Sequence, residues 1–158
     1  YIKNSLAEVI RTQFPTAEVI AGVATAGIPQ GALVADELGL PFAYVRPKPK
    51  DHGMENLIEG RIQSGQSVVL VEDLISTGGS SLKAAAALRD AGARVAGMVA
   101  IFTYGFDTAA ANFEKDKTEL VCLSDFNHLL PEAVRKNLIS SDQLEHIKAW
   151  RSDPANWK

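Results

Sequence analysis

The chain has 158 residues, of which 46% are hydrophobic and 22% charged, and its formal net charge is -3. This length and composition suit one globular domain with an adequate core, which we expect to span residues 1–158. The negative charge argues against a general affinity for nucleic acid or an anionic membrane surface. One cysteine excludes an internal disulfide, and we find no membrane-spanning apolar run and no secretory signal. These features favour a cytoplasmic enzyme.

Predicted strands and helices alternate along the chain. Apolar side chains at helical spacing predict a first helix over residues 1–14. Strands are predicted at residues 18–23, 41–45, 67–71, 94–103 and 119–123. Further helices are predicted at residues 29–38, 82–90, 106–113, 129–138 and 142–150. This alternation predicts an α/β fold with a mostly parallel central sheet flanked by helices, with ligand loops at the carboxyl ends of the strands.

The stretch from Val68 to Ser81, VVLVEDLISTGGSS, carries the strongest functional signal. An apolar, β-branched run typical of a buried parallel strand is followed at once by Glu72 and Asp73. A turn of hydroxylic and glycine residues then leads into an alanine-rich helix. Glycines let a ligand approach the backbone, and the unpaired N–H groups of a first helical turn, together with the helix dipole, favour a phosphate. The two acids repel phosphate, so they suit sugar hydroxyls or a magnesium ion beside it.

This stretch therefore predicts a site for a phosphorylated sugar. It lacks the Gly-Lys-Ser/Thr of a Walker loop, and the chain has no G-x-G-x-x-G. A helix cap with a tight turn would explain one residue, but it does not explain two acids at the end of a buried strand.

Two more loops follow predicted strands. Residues 24–29, ATAGIP, precede a helix, and the pattern fits a second anion pocket and an ordinary connection equally well. Residues 46–65 are long, polar and interrupted by proline and glycine, which is typical of a lid or a disordered segment. Cations alternate along this segment of an otherwise acidic chain. A solvated basic loop is the simpler interpretation, but the cations begin directly after a strand, which favours a lid that closes over phosphates.

The stretch VVLVEDLISTGGSS resembles the 5-phosphoribosyl-1-diphosphate (PRPP) motif of type I phosphoribosyltransferases, and this resemblance implies their fold. In that family the acidic pair contacts the ribose 2′- and 3′-hydroxyls, and the following loop holds the 5′-phosphate. The PRPP-binding residues implied here are Glu72, Asp73, Leu74, Ile75, Ser76, Thr77, Gly78, Gly79 and Ser80.

GVATAGIP resembles the diphosphate loop of the same family, which implies a diphosphate contact at Thr25, Ala26 and Gly27. Many relatives carry a lysine near the position of Ala26, and this chain has none. The resemblance therefore leaves only backbone groups and the Thr25 side chain to bind the diphosphate here.

YVRPKPKDHGMENLIEG resembles the catalytic loop of orotate phosphoribosyltransferases, in particular their Gram-positive-type branch. In that pattern an arginine, a lysine pair and a histidine bind the diphosphate. Arg46, Lys50 and His52 match the arginine, the second lysine and the histidine, which implies catalytic roles for them. The first lysine of the pattern falls on Pro47, and Lys48 follows one step later as its implied replacement in PRPP binding.

The resemblance also implies where the base binds. In other branches an arginine that binds the orotate carboxylate follows the strand at residues 94–103, and that position falls on Tyr104 here. Ser76 and Tyr104 are accordingly the residues expected beside orotate. An N-terminal hood that helps to bind orotate precedes this region in the family, and we expect it to be largely absent from this chain.

The implied reaction joins PRPP and orotate to give orotidine 5′-monophosphate and diphosphate, in pyrimidine (UMP) biosynthesis. It implies Mg²⁺, bound mainly through PRPP and close to Glu72 and Asp73. It also implies a homodimer whose catalytic loop reaches the neighbouring subunit's site. Three alternatives stay open. One is a PRPP-dependent transferase for a purine or uracil, whose lid would differ from KPKDHG. The others are a non-catalytic PRPP-binding regulator that binds nucleic acid, and a truncated fragment that folds but does not turn over. The net charge of -3 argues against the regulator.

Overall fold

The structure is a computed structural model that describes residues 1–48, 57–154 and 156–157. Within these ranges the chain forms six α-helices and six β-strands. The helices are α1 (Ile2–Gln13), α2 (Gly27–Leu38), α3 (Gly79–Asp90), α4 (Asp107–Asp116), α5 (Phe126–Arg135) and α6 (Ser141–Ser152). The strands are β1 (Val19–Val23), β2 (Phe42–Val45), β3 (Ile58–Glu59), β4 (Ser67–Ile75), β5 (Arg94–Thr103) and β6 (Leu120–Asp125).

The strands form one sheet in the order β3-β2-β1-β4-β5-β6. Neighbouring strands pair in parallel, except that β3 runs antiparallel to β2. The α/β fold with a mostly parallel sheet, predicted from the sequence, is therefore confirmed. The strand order reverses between β1 and β4. The loops that follow these two strands lie side by side at the carboxyl edge of the sheet, which is where open α/β sheets bind ligands.

The central strand β4 is covered on both faces. Val68 and Leu70 belong to the core on the face that α3 covers, whereas Val69 and Val71 belong to the core beneath α1 and α2. All four side chains are fully buried. A continuous apolar run is the expected pattern for such a strand, because successive side chains point to opposite faces.

Several boundaries differ from the prediction beside the functional loops. β4 continues beyond the acidic pair, because it pairs with β5 as far as Ile75, opposite Thr103. The helices α2 and α3 begin at Gly27 and Gly79, before the predicted starts at residues 29 and 82. The turns in the structure are therefore shorter than predicted, because part of each predicted turn belongs to the first turn of the following helix. The two-residue strand β3 lies in the segment that the sequence predicts as loop.

The last two helices complete the far edge of the sheet. α5 packs against β6 and against α6. α6 begins with a capping box, in which the Ser140 hydroxyl accepts from the Gln143 N–H at 3.2 Å and the Gln143 side chain accepts from the Ser140 N–H at 2.8 Å. In the part of the chain that the structure describes, no helix combines the length and hydropathy needed to cross a membrane.

Candidate functional site

The acidic pair lies near the carboxyl end of β4, and its two side chains point to opposite faces of the sheet. Glu72 lies on the α3 face. Its carboxylate accepts hydrogen bonds from the Ser81 hydroxyl at 3.0 Å and from the Asp73 N–H at 3.1 Å. Glu72 is 6% exposed and Ser81 2% exposed, so this contact is shielded from solvent. Asp73 is half-buried.

The surroundings of Glu72 change its acidity. Burial raises the pKa of Glu72 to about 7, and the neighbouring carboxyl of Asp73 adds to this rise. The hydrogen bonds from the Asp73 N–H and from Ser81 act in the opposite direction. A carboxyl with this pKa is partly protonated at neutral pH, so it can donate a hydrogen bond to a ligand hydroxyl as well as accept one.

The turn from β4 into α3 presents backbone N–H groups at the edge of the sheet. Residues 76–80 are exposed, apart from Gly78. Gly78 adopts φ 79°, in the left-handed region, and a Cβ there would lie 2.6 Å from the Phe113 ring. Among the described residues no side chain caps α3, so the N–H groups of its first turn are available to an anion.

Gly27 brings the loop between β1 and α2 against β4 beside the acidic pair. A Cβ at Gly27 would overlap the carbonyl oxygen of Val71 and lie 3.4 Å from the Cα of Glu72, so the two backbones touch here. The Ala24–Thr25 peptide bond is cis, and residues 25–26 are exposed at the start of α2. The structure therefore places the loop predicted for the diphosphate beside the acidic pair predicted for the ribose.

Only some of the predicted catalytic cations lie in the part of the chain that the structure describes. Lys50 and His52 lie outside the described residues, as does most of the segment between β2 and β3. Arg46 directly follows β2, and its Nη1 lies 3.5 Å from a carboxylate oxygen of Glu59. This ion pair does not have hydrogen-bond geometry, and Nη1 is buried without a hydrogen-bond partner among the described residues. Lys48 is exposed.

Arg46 borders a cleft of about 590 Å³ on the α3 side of the sheet. Gly79 and Ser80, at the N-terminus of α3, border the same cleft, as does Lys83 one turn further along. Nothing in the sequence marks Lys83 as a site residue, because a lysine within a predicted helix gives no local signal of a binding site. The arrangement brings two cations close to the phosphate turn.

A second cleft, of about 800 Å³, adjoins the phosphate turn on its other side. Ser76 and Tyr104, the two residues predicted for the base, both border it. The Tyr104 N–H donates to the Ile75 carbonyl at 3.1 Å, which ties the segment after β5 to the end of β4. The far wall of this cleft comes from α6.

Two α6 residues at this cleft, Trp150 and Arg151, were missed as site residues. The Trp150 ring packs against Tyr104, with 5.4 Å between ring centroids. The Arg151 Nε donates to the Tyr104 carbonyl at 2.8 Å, and its Nη2 donates to the Gly105 carbonyl at 2.7 Å. These contacts join residues 46 or 47 positions apart in the chain, so no local motif announces them.

The carboxylates offer a limited site for a metal ion. The described part of the chain contains no cluster of three or more His, Cys, Asp or Glu side chains that could hold one. Mg²⁺ commonly binds through one or two carboxylates together with substrate oxygens and water, and the end of β4 fits that pattern. Asp73 is the better ligand of the pair, because Glu72 is engaged by Ser81 and is partly protonated at neutral pH.

Comparisons with known proteins place this geometry in context. A family model described as a phosphoribosyl transferase domain matches residues 2–133. The orotate phosphoribosyltransferase of Cytophaga hutchinsonii is 56% identical over 157 residues, which cover 99% of this chain and 75% of that protein. That of Porphyromonas gingivalis is 55% identical over 156 residues, or 99% of this chain and 74% of that protein. The crystal structure of orotate phosphoribosyltransferase from Aeropyrum pernix matches with a TM-score of 0.75 and 30% identity, over 83% of this chain and 73% of that one.

Proposed function

This chain belongs to the phosphoribosyltransferase family, and we propose that it is an orotate phosphoribosyltransferase of pyrimidine (UMP) biosynthesis. Such an enzyme is a pentosyltransferase that moves ribose 5-phosphate from PRPP to orotate and releases diphosphate. The observation that carries the proposal is the acidic pair near the carboxyl end of β4, followed by a short turn into an uncapped helix N-terminus, in a chain more than half identical to enzymes of that name.

The acids and the turn would share the binding of PRPP. Glu72 and Asp73 would hold the two ribose hydroxyls, because a carboxylate accepts hydrogen bonds from hydroxyl groups, whereas it repels a phosphate. Residues 76–80 would hold the 5′-phosphate through the N–H groups and hydroxyls at the start of α3. Leu74 and Ile75 lie within β4, and Ile75 is fully buried, so that its contribution would come from the backbone.

The leaving diphosphate would lie between the other two loops. Residues 25–27 would offer backbone N–H groups and the Thr25 hydroxyl. Arg46, Lys48, Lys50 and His52 would neutralise the charge that develops as the bond from ribose C1′ to diphosphate breaks. Lys50 or His52 would also donate a proton to the diphosphate. The resemblance of their loop to that of orotate phosphoribosyltransferases supports these roles for Lys50 and His52.

We propose that the enzyme uses Mg²⁺ as its cofactor. The ion would be held mainly by PRPP oxygens, close to Asp73 and the ionised form of Glu72. When bound, the ion would neutralise part of the negative charge of the diphosphate. The chain's own contribution is to fix the ribose, so that C1′ faces the base on one side and the departing diphosphate on the other.

We propose that the enzyme works in the cytoplasm as a homodimer whose catalytic loop reaches the partner's site, with no nucleic-acid or membrane partner. The net charge of -3 supports the last point. Light scattering would measure the mass in solution. A hybrid of Lys50→Ala and Asp73→Asn subunits should regain activity that neither homodimer has, because one of its two sites combines an intact loop with an intact turn. Hybrids without activity would contradict the shared loop.

The function is tested by the loss of orotate absorbance in the presence of PRPP and Mg²⁺. Hypoxanthine, adenine and uracil serve as parallel substrates. We expect loss of orotate that requires PRPP, with no conversion of the other bases. Turnover of another base in place of orotate would support the transferase of different specificity, and PRPP binding without any turnover would support the regulator.

A further inference from the structure

The cleft that Ser76 and Tyr104 share has walls of two kinds. One end is the phosphate turn, and the other is aromatic, formed by Tyr104, Phe106 and Trp150. Tyr104 and Phe106 stack with 5.5 Å between their centroids. An aromatic lining beside a phosphate site is suited to a planar base attached to a phosphorylated sugar.

The charged side chains around this cleft differ in how free they are to bind a ligand. Lys148 borders the cleft, but its Nζ lies 2.9 Å from the Glu145 carboxylate and its side chain is 54% exposed. Asp107, the acid on the rim, lies in the first turn of α4 and is exposed. Arg151 is half-buried and forms no ion pair with any residue that the structure describes.

The Arg151 guanidinium is held in a fixed orientation. Two of its N–H groups bind the carbonyls of Tyr104 and Gly105, and its Cζ lies 5.5 Å from the centroid of the Phe126 ring. An arginine carries five N–H donors, so three remain for a ligand. A cation that is fixed in place and lacks a carboxylate partner is ready to bind a planar anion without first breaking an ion pair.

We propose that Arg151 binds the carboxylate of the base in this cleft, and so determines that the enzyme accepts an anionic pyrimidine. The inference rests on the proposed function, since orotate supplies the carboxylate. α6 thereby contributes a specificity residue to a site whose other parts follow β4 and β5. The sugar phosphate at Ser76 and the carboxylate at Arg151 would fix the two ends of the reacting pair.

The test compares orotate with orotamide, in which a neutral carboxamide replaces the carboxylate. The Michaelis constant for orotate and the inhibition constant for orotamide are measured at saturating PRPP for the parent protein, Arg151→Gln and Lys148→Gln. We expect Arg151→Gln to weaken orotate about 10- to 100-fold while orotamide changes far less, because one charge-assisted contact is lost. Lys148→Gln removes the same charge from the same cleft and should leave the ratio nearly unchanged.

The remaining outcomes overturn the inference. An equal loss for orotate and orotamide in Arg151→Gln would show that Arg151 only supports the loop after β5. Unchanged orotate binding, or a larger effect from Lys148→Gln, would assign the carboxylate elsewhere. A parent protein that binds PRPP but never orotate would refute the proposed function itself, which separates the two failures.

Discussion

Glu72 combines a ligand-binding role with a buried position. It lies almost fully out of solvent, on the face of β4 that packs against α3, where Ser81 fixes one carboxylate oxygen. Burial of an ionised carboxyl is unfavourable, and for this reason its pKa rises to about 7 from an ordinary 4.5. Without a ligand, the buried Glu72 carboxylate therefore lowers the free energy of unfolding at high pH.

That cost predicts a pH dependence of folding. Because the folded protein binds the Glu72 proton more tightly than the unfolded chain, its contribution to the free energy of unfolding is fully present below pH 4.5 and is lost as the pH rises through 7. Relative to Glu72→Gln, which does not titrate, the parent should lose roughly 3 kcal/mol across this window. Urea unfolding of both proteins at pH 4.5 and pH 8 measures this difference, and a constant difference would contradict the buried carboxyl.

Gly27 offers a second test at the scale of one atom. In Gly27→Ala the added methyl overlaps the Val71 carbonyl, so the loop must move away from β4. We expect a loss of about 1–3 kcal/mol in the free energy of unfolding, together with weaker PRPP binding. Gly79→Ala is the stability control, because its Cβ would meet nothing nearer than the Thr77 hydroxyl at 3.9 Å. Equal stability of the two variants would show that Gly27 does not contact the backbone of β4.

Lys50 provides the test of the catalytic loop. If Lys50 neutralises the leaving diphosphate, Lys50→Ala should lower kcat about 10²- to 10³-fold, by analogy with the loss of one oxyanion donor. PRPP affinity should fall much less, since this charge acts mainly as the bond breaks. Steady-state kinetics and calorimetry separate the two effects. An unchanged kcat would remove Lys50 from the mechanism.

At the scale of elements, α6 holds the wall of the second cleft. Its Trp150 ring contacts three aromatic rings, those of Tyr104, Phe106 and Phe126, at centroid distances of 5.4, 6.2 and 5.9 Å. Arg151 adds two hydrogen bonds to the segment after β5. A helix distant in the chain thus fixes residues that follow a strand of the sheet.

The two tryptophans near the C-terminus make a matched pair for testing this docking. Trp150→Ala removes the aromatic contacts and should lower the free energy of unfolding by about 2 kcal/mol. Trp157 is 47% exposed and contacts the ring of His146, so Trp157→Ala should change stability by less than about 0.5 kcal/mol. Urea unfolding of both variants measures the difference. Similar losses would mean that α6 is not anchored through Trp150.

The sequence predicts the elements better than their ends. The apolar run before Glu72 and the alanine-rich helix after the turn are strong local patterns, and both are present. The end of β4 was missed, because polar side chains there suggest a loop while the backbone still pairs with β5. The starts of α2 and α3 were missed because glycine is a weak helix former, and here tertiary packing overrides that tendency.

At the scale of the molecule, strand order explains how separate motifs become one site. β1 and β4 are neighbours although 43 residues lie between them, so the loop after β1 reaches β4 beside the acidic pair at Gly27. The sequence predicts that candidate loops lie at one edge of the sheet, since parallel strands share their carboxyl ends. It does not predict Arg151 or Trp150, whose part in the site depends on how α6 packs. That packing has no signature in a short window of sequence.

We assign PRPP binding to the end of β4 and the start of α3. Calorimetric titration of PRPP with Mg²⁺ into the parent protein, Asp73→Asn and Glu8→Gln tests it most directly. Glu8 is an exposed carboxylate of α1, so Glu8→Gln makes the same change in charge outside the site. We predict that the parent and Glu8→Gln bind PRPP alike and that Asp73→Asn binds it at least about tenfold more weakly. Equal affinity in all three proteins, or no binding by the parent, would contradict the claim.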